Sequence, residues 1–111
     1  MVRSTPLALI QGTLDLLILK TLSARPLHGY GIAVAIGDRT GGDLQVDDAA
    51  LYQALHRLDR RGLVVVEWDT TENNRRARFY TLTADGRRRL RQDAAEWRRY
   101  AQAVSAVLEG A

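Results

Sequence analysis

The 111-residue chain contains no cysteine. That excludes disulfides and thiolate metal sites and suits a reducing compartment. It also lacks any long apolar run. The longest, Leu14 to Leu22, is interrupted by Asp15, Lys20 and Thr21, well short of the roughly 20 apolar residues that span a bilayer. No signal-peptide pattern is visible, since Met1 to Pro6 holds one arginine and no small-residue cleavage site follows. The expectation is a soluble, cytoplasmic protein of one domain with no membrane partner. Catalytic material is equally sparse. His28 and His56 fall on different predicted segments, Ser4, Ser23 and Ser105 are scattered, and Gly29-Tyr30-Gly31 does not make a phosphate loop. His28 reads as a turn or cap residue, and Asp47-Asp48 as a capping pair rather than a carboxylate dyad. No enzyme, no cofactor and no metal site is expected.

What the chain does have is arginine. Of its 16 basic residues only Lys20 is lysine, and the formal net charge is +3. The charge is unevenly spread. Residues 1–56 carry four bases against five acids, and residues 57–111 carry twelve against eight. Between Arg75 and Arg91 seven arginines accompany only Asp85. Arginine suits paired contacts to phosphate and guanine, although a GC-rich genome also encodes it in preference to lysine. A basic C-terminal half nominates a polyanion, nucleic acid above all.

Periodicity divides the chain into helix, helix, helix, hairpin, helix. Leu14, Leu17, Ile18 and Leu22 recur at helical spacing, with Leu16 and Leu19 widening the face into that of a core helix. Arg25-Pro26 closes it. His28 to Ile36 reads as a second helix, apolar at Ile32, Val34, Ala35 and Ile36 and stopped by Gly41-Gly42. Asp43 to Val46 reads as a short extended stub. A third helix, capped by Asp47 or Asp48, runs to about Arg61, with Leu51, Ala54, Leu55 and Leu58 as its buried row and Gly62 as its stop. Leu63 to Trp68 and Arg78 to Leu82 read as the strands of a hairpin, with Asn73-Asn74 as the turn pair. Thr83 caps a last helix to about Leu108. The fold class is mostly α with a small β-hairpin: a winged helix-turn-helix over residues 1–83, followed by a C-terminal helix over 84–111.

Three constellations carry a functional reading, each with a plainer alternative. On the third helix, Gln53, His56, Arg57 and Arg60 share one face. Arginine and glutamine at such spacing read guanine and adenine edges in a major groove, yet a solvated charged face has the same pattern. At the hairpin tip, Asn74, Arg75, Arg76 and Arg78 could meet phosphates or a minor groove. Alternation sets Arg76 and Arg78 on one side and Arg75 on the other, unless the turn intervenes. Arginines at a ribbon end also protect an edge strand. On the last helix, Leu90, Ala94, Trp97, Ala101, Val104 and Leu108 alternate in steps of four and three, a heptad seam for a second chain. The same seam could pack against the first helix. A two-fold dimer would suit a palindromic operator, with recognition helices about 34–36 Å apart.

Several strings then stand out together. They are Gln11-Gly12-Thr13-Leu14-Asp15-Leu16-Leu17-Ile18-Leu19, Leu27-His28-Gly29-Tyr30-Gly31-Ile32, Leu51-Tyr52-Gln53-Ala54-Leu55-His56-Arg57-Leu58, Asn74-Arg75-Arg76-Ala77-Arg78-Phe79-Tyr80 and Leu82-Thr83-Ala84-Asp85-Gly86-Arg87. In this order the chain resembles the PadR family of bacterial regulators, most closely its branch of short members typical of acidobacterial genomes. The resemblance implies a winged-helix homodimer that represses transcription from double-stranded DNA, released in some members by a phenolic or planar small-molecule effector. It implies DNA contacts by Tyr52 and the outer face of its helix, wing contacts by Arg75 and Arg76, and a ligand stacking near Trp97. The chain departs from the family pattern at Ala49 and Ala50, where Gly and Ser or Thr are usual, and at Gln53, where proline is frequent. Asp47 and Asp48 add negative charge where DNA would approach. An interaction adaptor or a small-molecule sensor on the same scaffold therefore stays open as a second reading.

Overall fold

The computed structural model describes Leu7, Leu9 and residues 12–110; the expected arm, Met1 to Pro6, lies outside the described residues. Helix α1 covers Thr13–Leu22 and starts at Gly12, whose φ of 88° is a left-handed conformation suited to glycine. Its buried row, Ile18, Leu19 and Leu22, forms the centre of the core. Ser23 caps α1, a turn earlier than Pro26 would require.

The next segment corrects the sequence reading. Leu27–His28 is a short strand, β1, and α2 begins only at Gly29, running to Arg39. His28 is the N-cap of α2, its Nδ1 accepting the Gly31 N–H at 3.0 Å. Helix α2 continues almost a turn beyond Ile36. Of the apolar positions named for this helix, Ile32 and Ile36 are buried, whereas Val34 is exposed. The stub at Asp43 to Val46 is not a strand; only Leu44 makes a bridge, parallel to Leu7.

Helix α3 covers Asp48–Arg60 and buries Leu51, Ala54, Leu55 and Leu58, the row its periodicity predicts. Gly62, at a φ of 72°, ends it. Strands β2 (Val64–Thr70) and β3 (Arg76–Leu82) then pair antiparallel, from Val64 opposite Leu82 to Thr70 opposite Arg76. Both are longer at the tip than expected. The expected two-stranded ribbon is in fact a three-stranded sheet of order β1-β3-β2, with Leu27 opposite Tyr80.

Helix α4 covers Ala84–Glu109. The Thr83 hydroxyl accepts the Gly86 N–H at 2.9 Å and donates to the Gly62 carbonyl at 2.8 Å. One side chain thus caps α4 and ties it to the end of α3. Gly86 is required by contact: a Cβ there would stand 2.2 Å from the Leu63 carbonyl oxygen. Helix α4 packs against α1 and β3 near its start and then runs out along the molecule, which measures 55 × 35 × 22 Å. At 1.5 Å per residue it is about 39 Å long.

Candidate nucleic-acid interface

Asp47 sets the start of α3, its carboxylate accepting the Ala50 N–H at 3.1 Å. Of the two acids that sequence reasoning placed near DNA, Asp47 is therefore engaged with the positive end of the helix, and Asp48 stands in its first turn. With the buried row turned inward, Gln53, His56 and Arg60 are exposed along the outer side. The two flanks behave differently. Arg57, expected on the same face, pairs through Nη2 with Asp15 Oδ1 of α1 at 3.0 Å. Tyr52 lies on the other flank, and its ring occupies the notch left by Gly29; a Cβ at Gly29 would be 2.8 Å from Tyr52 Oη. Beside that notch Tyr30 projects into solvent, its ring stacked on His28 with centroids 6.3 Å apart.

The ribbon turns at Asn73-Asn74, and Asn74 takes a φ of 59°, a conformation that asparagine tolerates. Thr71 and Arg75 close the turn, the Thr71 N–H donating to the Arg75 carbonyl at 2.7 Å. Arg75 therefore belongs to the turn, while Arg76 and Arg78 share one face of β3. That face continues through Tyr80 into the core. On β2 the matching face carries Trp68, which sequence reasoning missed as a site residue. Arg76 and Arg78 lie over its indole, at 5.4 and 5.5 Å from the ring centroid. By alternation Glu67 and Asp69 point to the opposite face. The ribbon is thus polarised, with cations on one side and acids on the other.

The cationic side faces α3. A cleft of about 400 Å³ separates them, lined by Tyr52, His56 and Asp59 from α3 and by Val66, Trp68, Arg78 and Tyr80 from the ribbon. Burial raises the Tyr80 phenol above its ordinary pKa of 10.0, a shift that the positive charge of Arg78 opposes. The arrangement can donate hydrogen bonds and the positive charge of Arg78 across a concave surface, with Asp59 as an acid in the same lining. Among the described residues no group of three or more His, Asp or Glu could hold a metal ion, and no helix is long and apolar enough to cross a membrane.

At the far end of the molecule the expected seam divides. Leu90 packs against the domain's own core, so the first seam position is intramolecular. Ala94 and Ala101 are half-buried, and Trp97, Val104 and Leu108 are exposed, Leu108 at 78%. Tyr100 and Val107 widen the exposed apolar face beyond the residues that the heptad spacing named.

The family model of PadR-like transcriptional regulators matches residues 18–92, from the middle of α1 through the sheet into α4. The chain belongs to the PadR-like family of transcriptional regulators. A PadR-family regulator from Eggerthella lenta is similar to it at 30% identity and a TM-score of 0.77, covering 91% of this chain and 86% of that one. An uncharacterized protein of Lysinibacillus sphaericus is 27% identical over 110 residues, 99% of this chain and 98% of that protein. Bacillus subtilis PadR, solved in complex with operator DNA, shares the fold at 24% identity and a TM-score of 0.64, over 72% of this chain and 45% of that one. The helices, small sheet and long last helix of this PadR-family chain are those of a winged helix, and the family is one of regulators, not enzymes. The matched stretch contains all of α3 and the ribbon.

Proposed function

We propose that the chain is a cytoplasmic, sequence-specific DNA-binding repressor that acts as a homodimer on a palindromic operator. The observation that carries this reading is the cleft in which His56 of α3 and Arg78 of the ribbon face one another. It joins an exposed polar row on a helix to a cationic ribbon face, the two surfaces a winged helix applies to a groove and to the adjoining backbone. Gln53, His56 and Arg60 would reach base edges. Tyr52, Asn74, Arg75, Arg76 and Arg78 would hold the phosphates. Arg57 must leave Asp15 to read a base, so it serves either as a base reader or as a brace between α3 and α1. The operator DNA bound by the Bacillus subtilis relative supports the choice of partner.

In this reading residues 1–83 bind DNA and residues 84–111 dimerise. The apolar face formed by Trp97, Tyr100, Val104 and Leu108 is of the kind that a second copy covers. Trp97 and Tyr100, with ring centroids 6.2 Å apart, offer a stacking surface for a planar or phenolic effector that would relieve repression. The test is a binding selection from random duplexes at physiological salt. A palindromic consensus with half-sites one helical turn apart is expected. Salt-sensitive binding with no consensus would overturn specific recognition and favour the adaptor or sensor reading.

A further inference from the structure

We infer that Trp68 is a positioning residue for DNA binding, an exposed indole platform that holds Arg76 and Arg78 on the α3-facing side of the ribbon. The inference rests on the DNA-binding reading above and deepens it. Trp68 is 58% exposed and contributes nothing to the core cluster, so burial does not account for it. The strand register accounts for its neighbours. Trp68 stands directly opposite Arg78, and Arg76 is the diagonal neighbour on the same face. Both guanidinium carbons lie within 6 Å of the ring centroid, the range of a cation–π contact.

A guanidinium lying over an aromatic face keeps its in-plane N–H groups free to donate to phosphate oxygens. It has also lost part of its rotameric freedom before DNA arrives, so less is lost on binding. The polarity of the ribbon gives the platform a direction. Without the stack, Arg76 and Arg78 could swing past the strand edge toward Glu67 and Asp69. With it, both cations stay on the side of the cleft that His56 and Tyr52 share.

Duplex affinity of the full-length protein is measured for the parent, Trp68→Ala, Trp68→Phe, Arg76→Ala/Arg78→Ala and the triple variant, at reduced salt so that weak complexes register. Trp68→Ala is expected to weaken binding on the order of tenfold, Trp68→Phe to recover most of that loss, and Trp68→Ala to cost little once both arginines are gone. An equal loss with and without the arginines would overturn the platform and make Trp68 a direct DNA contact. No loss in either background would overturn it outright. A second readout needs no DNA: ring-current shifts of the Arg76 and Arg78 side-chain protons by NMR, expected in the parent and abolished in Trp68→Ala. Their absence from the parent would overturn the stack itself. Intact ring-current shifts in a parent that binds no duplex would overturn the DNA reading, and the positioning role with it, while leaving the stack in place.

Discussion

Two glycines show how a single atom separates stability from binding. A methyl at Gly86 would meet the Leu63 carbonyl, a backbone atom that cannot step aside. Gly86→Ala is expected to destabilise the fold by about 1–3 kcal/mol, read as a lowered denaturant midpoint. A methyl at Gly29 would meet the Tyr52 ring, the free end of a side chain that can turn away. Gly29→Ala should therefore change stability by less than about 1 kcal/mol while altering duplex affinity; a fold lost with Gly29→Ala would contradict this. Tyr80 supplies a pH test. Its phenol is buried and its pKa lies above 10.0 in the folded chain. Stabilisation from the neutral phenol is complete below the unfolded pKa and is lost as pH rises from there through the folded value. Unfolding free energies between pH 8 and 11 should fall less steeply with pH for Tyr80→Phe than for the parent protein.

At the scale of elements, α3 and α4 differ in what holds them. Helix α3 is fixed by its buried row and by the Asp47 cap, and Asp47→Ala should cost about 1 kcal/mol, measured by chemical denaturation. The Asp15–Arg57 pair adds a brace to α1, with side-chain exposures of 23% and 49%. So exposed a pair contributes at most about 1 kcal/mol, and its interest lies in where it aims Arg57. Among the described residues helix α4 is anchored by the Thr83 cap at its start and by Leu90 against the core. Beyond them Trp97, Tyr100, Val104 and Leu108 are exposed among the described residues. Val104→Glu together with Leu108→Glu should leave the winged-helix core folded and shift the sedimentation coefficient from dimer to monomer. A parent protein that is already monomeric would sink the homodimer proposal.

For the whole molecule, the uneven charge predicts salt-dependent association. The basic residues gather on the ribbon, the outer side of α3 and the first turns of α4. Each phosphate contact should contribute about 0.9 to the slope of log affinity against log salt. Arg75→Ala/Arg76→Ala should therefore flatten that slope by nearly 2 if both side chains meet phosphates, measured by titration across salt concentrations. An unchanged slope would remove the wing from the interface.

By itself the sequence determined the features that depend on neighbours a few residues apart. Helical period set the buried row of α3, Thr83 announced its cap, the α3 cap was narrowed to Asp47 or Asp48, and Asn73-Asn74 marked the turn. These signals are local because a helix hydrogen-bonds within its own turns and a cap reaches only three residues on. The polar row Gln53, His56 and Arg60 was legible for the same reason. Tertiary structure decided what depends on partners distant in the chain. Strand β1 is two residues long, too short for any alternation, and exists because Tyr80 and Phe79 pair with it. The Arg57 guanidinium reaches toward α1 because Asp15, 42 positions away, is an acid within reach. Trp68 gains a role because register sets it against Arg78, and Gly86 is needed because the Leu63 carbonyl lies against the start of α4. Periodicity specifies which side of an element is apolar, but only packing brings the opposing groups of different elements together.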